Sequence, residues 1–517
     1  MMATNNTRSI TTLLVGMLFD PSVIDDVMVT GISLDSRNIQ ADWLFLSLAT
    51  DDSLRLKNLQ QALSQGAVVV LFENDQALTE DEVIMMDKAE VPAYKINNLS
   101  DKAGEIAARF YGHPSLALTV IAVTGTNGKT SVSQFIAQAL ESLGQSCGVI
   151  GTLGVGQVNN LQSTGMTTPD PVSLQAVLAD FCSQSIKYVV IEASSHALEQ
   201  GRLNSVVIDV AVLTNLSRDH LDYHQDMAEY ATAKRQLFDF DSIKTAVVNS
   251  ADEFGQVLTV DLLKRSDISI LTYSSCIGEV TTFSASNIKS LVDGLNFTLS
   301  SDGKLANIQS SLIGRFNVDN ILAASACLSA VGISFDNIIK AVQQCQAIDG
   351  RMQAYGTGQQ AHIVIDFAHT PEALTQVLQS LRSHTPRNGY LWCVFGCGGD
   401  RDSGKRPQMG RNAELYADKI VLTDDNPRSE QSSTIISDIL SGFEKPEKVH
   451  VQADRRLAIT HAITTATAKD IILVAGKGHE QYQEIAGIKY SFNDAQVVNE
   501  VLQAANDESH SVIGAKQ

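Results

Sequence analysis

The sequence predicts an α/β protein of three domains, and three observations carry that reading. Between Leu118 and Thr124 an apolar, β-branched run ends in Gly125-Thr126-Asn127-Gly128-Lys129-Thr130, so a buried strand feeds a glycine turn and then a helix. Apolar strands alternate with helical periodicity through the middle of the chain, and the alternation restarts near Gly350-Arg351. At 517 residues the chain is too long for one core, and roughly 150 residues per domain gives three. The expected divisions are a small N-terminal α/β domain over 1-110, a central P-loop-type, ATP-binding α/β domain over 111-347 and a C-terminal Rossmann-like α/β domain over 348-517.

In the first domain, a helical stretch from Leu59 to Gly66 leads into the strand Ala67 to Phe72. The apolar run from Ile10 to Phe19 after Arg8 faintly imitates a signal peptide. It lacks a small-x-small cleavage site, and Asp20-Pro21 reads as a helix end. In the second domain Val132, Phe135, Ile136, Ala139, Leu140 and Leu143 follow helical spacing behind Lys129, and Gly144 gives a stop. Runs at Tyr188 to Ile191, Val210 to Leu213 and Ala246 to Val248 fit interior parallel strands. Ile268 to Ile313 has the punctuation of hairpins and reads as a β insertion, and helical periodicity returns at Asn320 to Leu328. In the third domain strands are expected at Ile363 to Ile365, Leu391 to Phe395, Lys419 to Leu422 and Ile471 to Val474.

A net charge of −20 argues against a nucleic-acid partner. It does not exclude a phosphorylated substrate, because screening over about 8 Å leaves local groups in control of a site. Seven cysteines without a C-x-x-C pair read as reduced thiols of a cytoplasmic protein. No run approaches the roughly 18 apolar residues of a membrane span.

The glycine turn offers backbone N–H groups to a phosphate, while Lys129 can reach the β- and γ-phosphates and Thr130 can ligate Mg²⁺. The loop is two residues shorter than the common pattern, which would need glycine where Val123 stands. Glu192 closes one strand and His220 follows another, and both suit Mg²⁺ beside a triphosphate. Lys234, in Tyr230-Ala-Thr-Ala-Lys234, reads from its surroundings as a helix-surface lysine. Asn317 and Asn320 read as N-caps at a helix start. In the third domain Asp366, Arg401, Arg428 and Glu480 follow strands, where doubly wound sheets bind ligands. Guanidinium forks suit carboxylates and a glutamate suits an ammonium, so an amino-acid ligand is expected, with a surface ion-pair network as the alternative.

Taken in order, Asp35-Ser-Arg37, Thr124 to Thr130, Thr167-Thr-Pro-Asp170, Glu192-Ala-Ser-Ser-His196, Asn215 to His224, Gly314 to Asn320, Asp366-Phe-Ala-His-Thr-Pro371, Gly396 to Pro407, Asp425-Asn-Pro-Arg428 and Gly476 to Glu480 resemble the Mur ligases of peptidoglycan synthesis. Among these the likeness is strongest to enzymes that add the third residue of the peptide. The resemblance implies that the three domains bind a UDP-sugar peptide, ATP and an amino acid. It also implies a reaction. The terminal carboxylate of UDP-MurNAc-L-Ala-D-Glu attacks the γ-phosphate, and the amine of the incoming amino acid displaces phosphate from the acyl phosphate. The components are small molecules, ATP and Mg²⁺, handled by a cytoplasmic monomer with no membrane span.

By the same resemblance Gly125, Thr126, Asn127, Gly128, Lys129, Thr130, Ser131, Asn317, Arg351 and Asp366 would hold ATP, and Lys129, Glu192, His220 and Lys234 would be catalytic. Thr130, Glu192, His220 and Lys234 would serve the metal, Lys234 as N6-carboxylysine. Leu34, Ser36, Thr167, Thr168, Ser194, Gln200 and Arg202 would hold the UDP-MurNAc-dipeptide. Arg401, Asp425, Asn426, Pro427, Arg428, Gly476 and Glu480 would hold the amino acid. The Asp-Asn-Pro-Arg motif accompanies meso-diaminopimelate, whose second carboxylate would pair with Arg428. Lysine would leave that arginine buried and unpaired, at about 3–5 kcal/mol.

Three positions depart from the family pattern. Ala49-Thr-Asp-Asp-Ser-Leu54 replaces a His-Gly loop near the uracil, Gln353 replaces an acidic residue and Phe367 replaces a tyrosine, and neither Gln353 nor Phe367 is expected to touch the chemistry. The competing readings are an L-lysine-adding relative, a folylpolyglutamate synthetase and an inactive nucleotide-binding regulator. Arg428 argues against the synthetase, and intact Lys129, Glu192, His220 and Lys234 argue against the regulator.

Overall fold

The computed structural model describes residues 6–17, 25–217, 219, 223–276, 281–356 and 360–514. They form two compact units, 1–283 with 323–341 and 284–322 with 342–517. The architecture is the expected three-domain α/β arrangement, with a two-stranded and a four-stranded sheet in the N-terminal region and two larger sheets later in the chain.

The first sheet has four parallel strands, Gly31–Ser33, Trp43–Ser47, Ala67–Glu73 and Ala93–Ile96. Alternation along them divides two cores. Leu44, Leu46, Val69 and Leu71 face the helix Leu99–Tyr111, while Phe45, Val70 and Phe72 face the helix Asp52–Ser64. That second helix begins inside the unusual 49–54 segment, where the Asp51 carboxylate accepts from Leu54 N at 2.8 Å. The N-terminal helix stops at Leu13, earlier than expected, and Asp20-Pro21 lie outside the described residues. Arg55 and Glu82 are a buried pair at 2.7 Å joining the helix Asp52–Ser64 to the helix Glu80–Ala89, and Glu82 also closes a capping box with Thr79.

The central sheet of the first unit runs Asn160–Gln162, Gly154–Gln157, Cys147–Gly151, Tyr188–Glu192, Thr119–Thr124, Val210–Leu213, Thr245–Asn249 and Ser269–Ser274. From Cys147–Gly151 onward all neighbours are parallel. The chain leaves Thr119–Thr124 for one side, then crosses from Tyr188–Glu192 to Val210–Leu213 on the other. The strand carrying the glycine loop therefore sits where the winding reverses, the position at which such sheets take ligands. Ser269–Ser274, expected in a β insertion, belongs to this parallel sheet. The antiparallel hairpin Gly294–Ser301 with Lys304–Ser310 follows in the second unit.

The second unit holds a sheet ordered Gln353–Tyr355, His362–Asp366, Ile471–Ala475, Leu391–Phe395, Lys419–Leu422 and His450–Val451, parallel except at its first strand. Three helices, Pro371–Arg382, Lys405–Tyr416 and Ser432–Leu440, cover one face through Leu374, Met409 and Ile435. Arg455–Thr465 and Asp494–Gly514 cover the other through Ile459 and Val498. The helix Phe316–Ala330 starts before the expected caps, so Asn317 and Asn320 lie within its first turns.

The buried Arg55–Glu82 pair generates a stability prediction. Glu82→Ala leaves a guanidinium in the interior and is expected to lower unfolding free energy by about 3–5 kcal/mol in urea denaturation. A loss below about 1 kcal/mol would show that the pair is not closed in solution.

Candidate active site

Gly125 has φ +143°, and a Cβ there would lie 1.9 Å from Thr214 Oγ1. The loop therefore packs against the end of the neighbouring strand without room for a side chain. Gly128, at φ +87°, turns the chain into the helix Lys129–Ser142, whose first N–H groups face the loop. Lys129 Nζ donates to Gly125 O at 2.8 Å and to Thr126 O at 2.9 Å.

Lys234 Nζ donates to the same Gly125 carbonyl, also at 2.8 Å, and lies 4.3 Å from the Tyr230 ring centroid. Its side chain is 1 % exposed. Burial, reinforced by the Lys129 charge and opposed by Asp219, pushes its amine down to about 6. The surface reading of Lys234 is thus overturned: on the helix Met227–Arg235 its neighbour Arg235 faces water, whereas Lys234 turns under the loop. Tyr230 shares a contact of 3.2 Å with Thr126 Oγ1, which accepts from Ser217 N at 2.9 Å.

Glu192 is 1 % exposed, with Oε2 accepting from Thr130 Oγ1 at 2.9 Å and Thr152 Oγ1 at 3.0 Å, and Oε1 from Thr152 N at 3.1 Å. Burial raises its carboxyl, and the Lys129 charge and these hydrogen bonds oppose the rise. A Cβ on Gly151 would stand 2.1 Å from Glu192 Oε1, so glycine leaves the carboxylate its space. A carboxylate and a hydroxyl side by side at a phosphate loop are the hard oxygen donors Mg²⁺ takes, with phosphates and water completing its six ligands. No group of three His, Cys, Asp or Glu able to hold a metal occurs among the described residues. His220 lies outside the described residues.

The main chain of Glu192 leads to a second polar cluster. Thr168 Oγ1 donates to Glu192 O at 2.6 Å and to Ser194 Oγ at 3.3 Å. Arg202 donates to Thr168 O at 2.7 Å and to Gln200 Oε1 at 2.6 Å, and Thr167 meets Thr152 at 3.1 Å. Thr167, Thr168, Ser194, Gln200 and Arg202 therefore form one hydrogen-bonded patch beginning at Glu192. Leu34 and Ser36 stand on the N-terminal sheet's edge loop, with Ser36 Oγ donating to Gln61 at 2.9 Å.

Within the second unit Asp366 accepts from Met352 N at 2.9 Å and Ala368 N at 2.8 Å. Burial raises its carboxyl against the nearby Arg351 charge. Arg351 lies 5.0 Å from the Phe367 ring, and its Nε and His479 Nδ1 are buried without a hydrogen-bond partner. Phe367 thus supports a candidate nucleotide residue, contrary to the expectation that it stands apart. Asn317 Nδ2 donates to Ile313 O at 2.8 Å and Asn317 Oδ1 accepts from Asn320 Nδ2 at 2.8 Å, so neither asparagine acts as a cap.

The Asp425-Asn-Pro-Arg428 loop is tightly held. Arg428 has φ +52°. Its N donates to Glu484 O at 3.0 Å, and Nη1 donates to Gly399 O at 2.7 Å. Its side chain is 21 % exposed, with Glu484 Oε2 at 3.6 Å. The expected buried, unpaired arginine is corrected accordingly: Glu484 is a standing counter-charge, which shrinks the penalty for an amine lacking a second carboxylate. A Cβ on Gly476 would lie 2.5 Å from Asp425 Oδ2. Asn426 Nδ2 donates to Glu480 Oε2 at 2.9 Å, and Lys477 Nζ reaches the same oxygen at 2.7 Å. Arg401 is exposed.

Family models for the "Mur ligase middle domain" and the "Mur ligase, glutamate ligase domain" match residues 123–328 and 350–478, together more than half the chain. A UDP-N-acetylmuramoyl-L-alanyl-D-glutamate–2,6-diaminopimelate ligase of Pseudomonas putida is 44 % identical over 93 % of this chain and 96 % of its own. A ligase of the same name from Xanthomonas oryzae pv. oryzae is 44 % identical over 94 % and 96 %. A solved structure bearing that enzyme name aligns at TM-score 0.74 and 35 % identity, over 97 % of this chain and 99 % of the other. The chain belongs to the Mur ligase family.

In this Mur ligase the first unit gathers the loop, Lys129, Thr130, Glu192, Lys234 and the Thr168–Arg202 patch. The second unit gathers Arg351 with Asp366, and Arg428 with Asn426, Gly476 and Glu480. Sequence reasoning missed Thr152, Tyr230 and Lys477. Thr152 and Tyr230 carry no local signal; Lys477 lies in the glycine-flanked run Gly476-Lys-Gly-His-Glu480, and that flanking was the signal available.

Two predictions follow from the loop of this Mur ligase. Gly125→Ala forces a side chain into the Thr214 hydroxyl and is expected to weaken ATP binding more than tenfold by calorimetry, with near-unchanged affinity contradicting the loop packing. The second concerns Lys234, held near 6 when folded against 10.5 ordinarily, so between those values the unfolded chain carries a proton the folded one lacks and stability rises with pH. In buffers purged of carbon dioxide the wild type is expected to gain up to about 1.4 kcal/mol per pH unit over Lys234→Met between pH 7 and 8.5, and parallel curves would contradict the burial.

Proposed function

We propose that this Mur ligase joins meso-diaminopimelate to UDP-MurNAc-L-Ala-D-Glu through an acyl phosphate, with ATP as the phosphoryl donor, as a cytoplasmic monomer with domains at 1-110, 111-347 and 348-517. One observation carries the reading: Thr130 Oγ1 and Thr152 Oγ1 share the Glu192 carboxylate, Thr152 meets Thr167, and Thr168 and Arg202 adjoin them through the main-chain oxygens of Glu192 and Thr168. It sets residues suited to a peptide carboxylate beside residues suited to a triphosphate. The names of the relatives and the Arg428 loop supply the amino acid.

The chain's residues act by neutralising and orienting charge. Lys129 and the first N–H groups of its helix take the charge of the β- and γ-phosphates. Thr130 and Glu192 would hold Mg²⁺, which supplies Lewis-acid polarisation of the phosphoryl oxygens when bound. Arg202 and the Thr168 hydroxyl orient the acceptor substrate, whose terminal carboxylate attacks the γ-phosphorus as ADP leaves. The amine then adds to the acyl carbon, loses a proton, and phosphate departs. Lys234, uncharged near neutrality, is in the nucleophilic form that a carbamate requires. As N6-carboxylysine it would turn a neutral amine into an anion suited to metal. In the second unit, Arg351 and Asp366 suit the nucleotide, Arg428 suits the distal carboxylate and Glu480 the distal ammonium.

Phosphate release measured with ATP, Mg²⁺, UDP-MurNAc-L-Ala-D-Glu and one added amine tests the assignment. Release is expected with meso-diaminopimelate, and release with L-lysine alone, L-glutamate alone or none of them would overturn it. Arg428→Ala is expected to reduce preference for diaminopimelate over lysine by about ten- to a hundredfold, the worth of one charged hydrogen-bonded contact, and unchanged preference would reject its role.

A further inference from the structure

We propose that Lys477 is a positioning residue: it pins Glu480 so that one carboxylate oxygen stands open to the ammonium of the incoming amino acid. The inference rests on the reading of Glu480 as the ammonium acceptor. Lys477 follows the strand Ile471–Ala475 and is 0 % exposed, an expensive place for a cation without a task. Its Nζ donates to Glu480 Oε2 at 2.7 Å and to Asn426 Oδ1 at 3.1 Å. Asn426 in turn donates to Glu480 Oε2 at 2.9 Å and accepts from Glu484 N at 2.9 Å. Both donors thus converge on Oε2, and no hydrogen bond from a described residue reaches Oε1. The Glu480 side chain is 24 % exposed, so the open oxygen belongs to a carboxylate that a ligand can reach.

The backbone is built around this lysine. Gly476 has φ +114° and Gly478 φ +52°, and a Cβ on Gly478 would meet Phe367 Cβ at 2.8 Å. The other charges around Glu480 are Lys477 and His479 on its own segment and Asp425 and Arg455 across from it. Arg455 is closed on Asp494 at 2.7 Å, which leaves Lys477 as the cation that pairs with Glu480. Burial alone would raise the Glu480 carboxyl; Lys477 and Asn426 overcome it and hold the carboxyl below its ordinary value. Without that lysine burial is opposed mainly by Asn426, so the carboxyl rises and its oxygen is no longer pinned toward the ligand.

Steady-state kinetics from pH 6.5 to 8.5 test this. In Lys477→Met the KM for diaminopimelate is expected to rise about tenfold, more at pH 6.5 than at pH 8.5, while kcat and the KM values for ATP and the UDP-substrate stay within about twofold. The wild type and Lys477→Arg, which keeps the cation, are expected to stay flat. Where the methionine variant does not fold, Lys477→Gln keeps a donor without the charge and is expected to show the same pH-dependent rise. A KM unchanged in the variant, or raised equally at every pH together with the other constants, overturns the positioning role. Glu480→Gln separates the two readings: if it leaves the KM for diaminopimelate unchanged the ammonium assignment falls, and if it raises that KM while Lys477→Met does not, only the positioning inference falls.

Discussion

Two lysine side chains aim their ammonium groups at one backbone oxygen, Gly125 O, each at 2.8 Å. Two full positive charges cannot share that buried acceptor without strong repulsion, and the protein resolves the conflict by burying Lys234 until its amine is neutral. The constraint reaches far along the sequence. It holds the Met227–Arg235 helix beneath the loop and leaves Lys129 as the charged partner for an anion. The polar chain through Glu192 then extends the same centre toward Thr168 and Arg202.

The second unit solves a related problem with paired charges. Arg455 and Asp494 are both fully buried and bind one another, giving the Asp425-Asn-Pro-Arg428 loop a rigid floor. Arg428 is carried over that floor in a left-handed backbone conformation stabilised from Glu484 O. Arg428 is thus not a naked buried charge but one already facing the Glu484 carboxylate, which a ligand carboxylate would have to displace under the proposed role.

The strands were legible because buried parallel strands need uninterrupted apolar, β-branched runs, as in Val210–Leu213 and Leu391–Phe395. The phosphate loop was legible because its chemistry is local, a strand, two glycines and a lysine in six positions. Lys234 was not, since its burial depends on a strand end more than 100 positions away and its own helix is otherwise polar. Lys477 escaped although glycines flank it, because its burial against Asn426 is set 51 positions away. The Asn317 caps failed because the helix starts one residue earlier, at Phe316, and Asn317 bonds back to Ile313 O. Local pattern thus showed the elements and the anion site, whereas side-chain burial set by distant contacts decided which lysines matter.

The central claim is that a substrate carboxylate, and not water, receives the γ-phosphoryl group. The most direct measurement uses UDP-MurNAc-L-Ala-D-Glu carrying ¹⁸O in its terminal carboxylate, with ATP, Mg²⁺ and diaminopimelate, and mass analysis of the released phosphate. An acyl phosphate delivers one labelled oxygen to each phosphate released. Phosphate free of label would contradict the account.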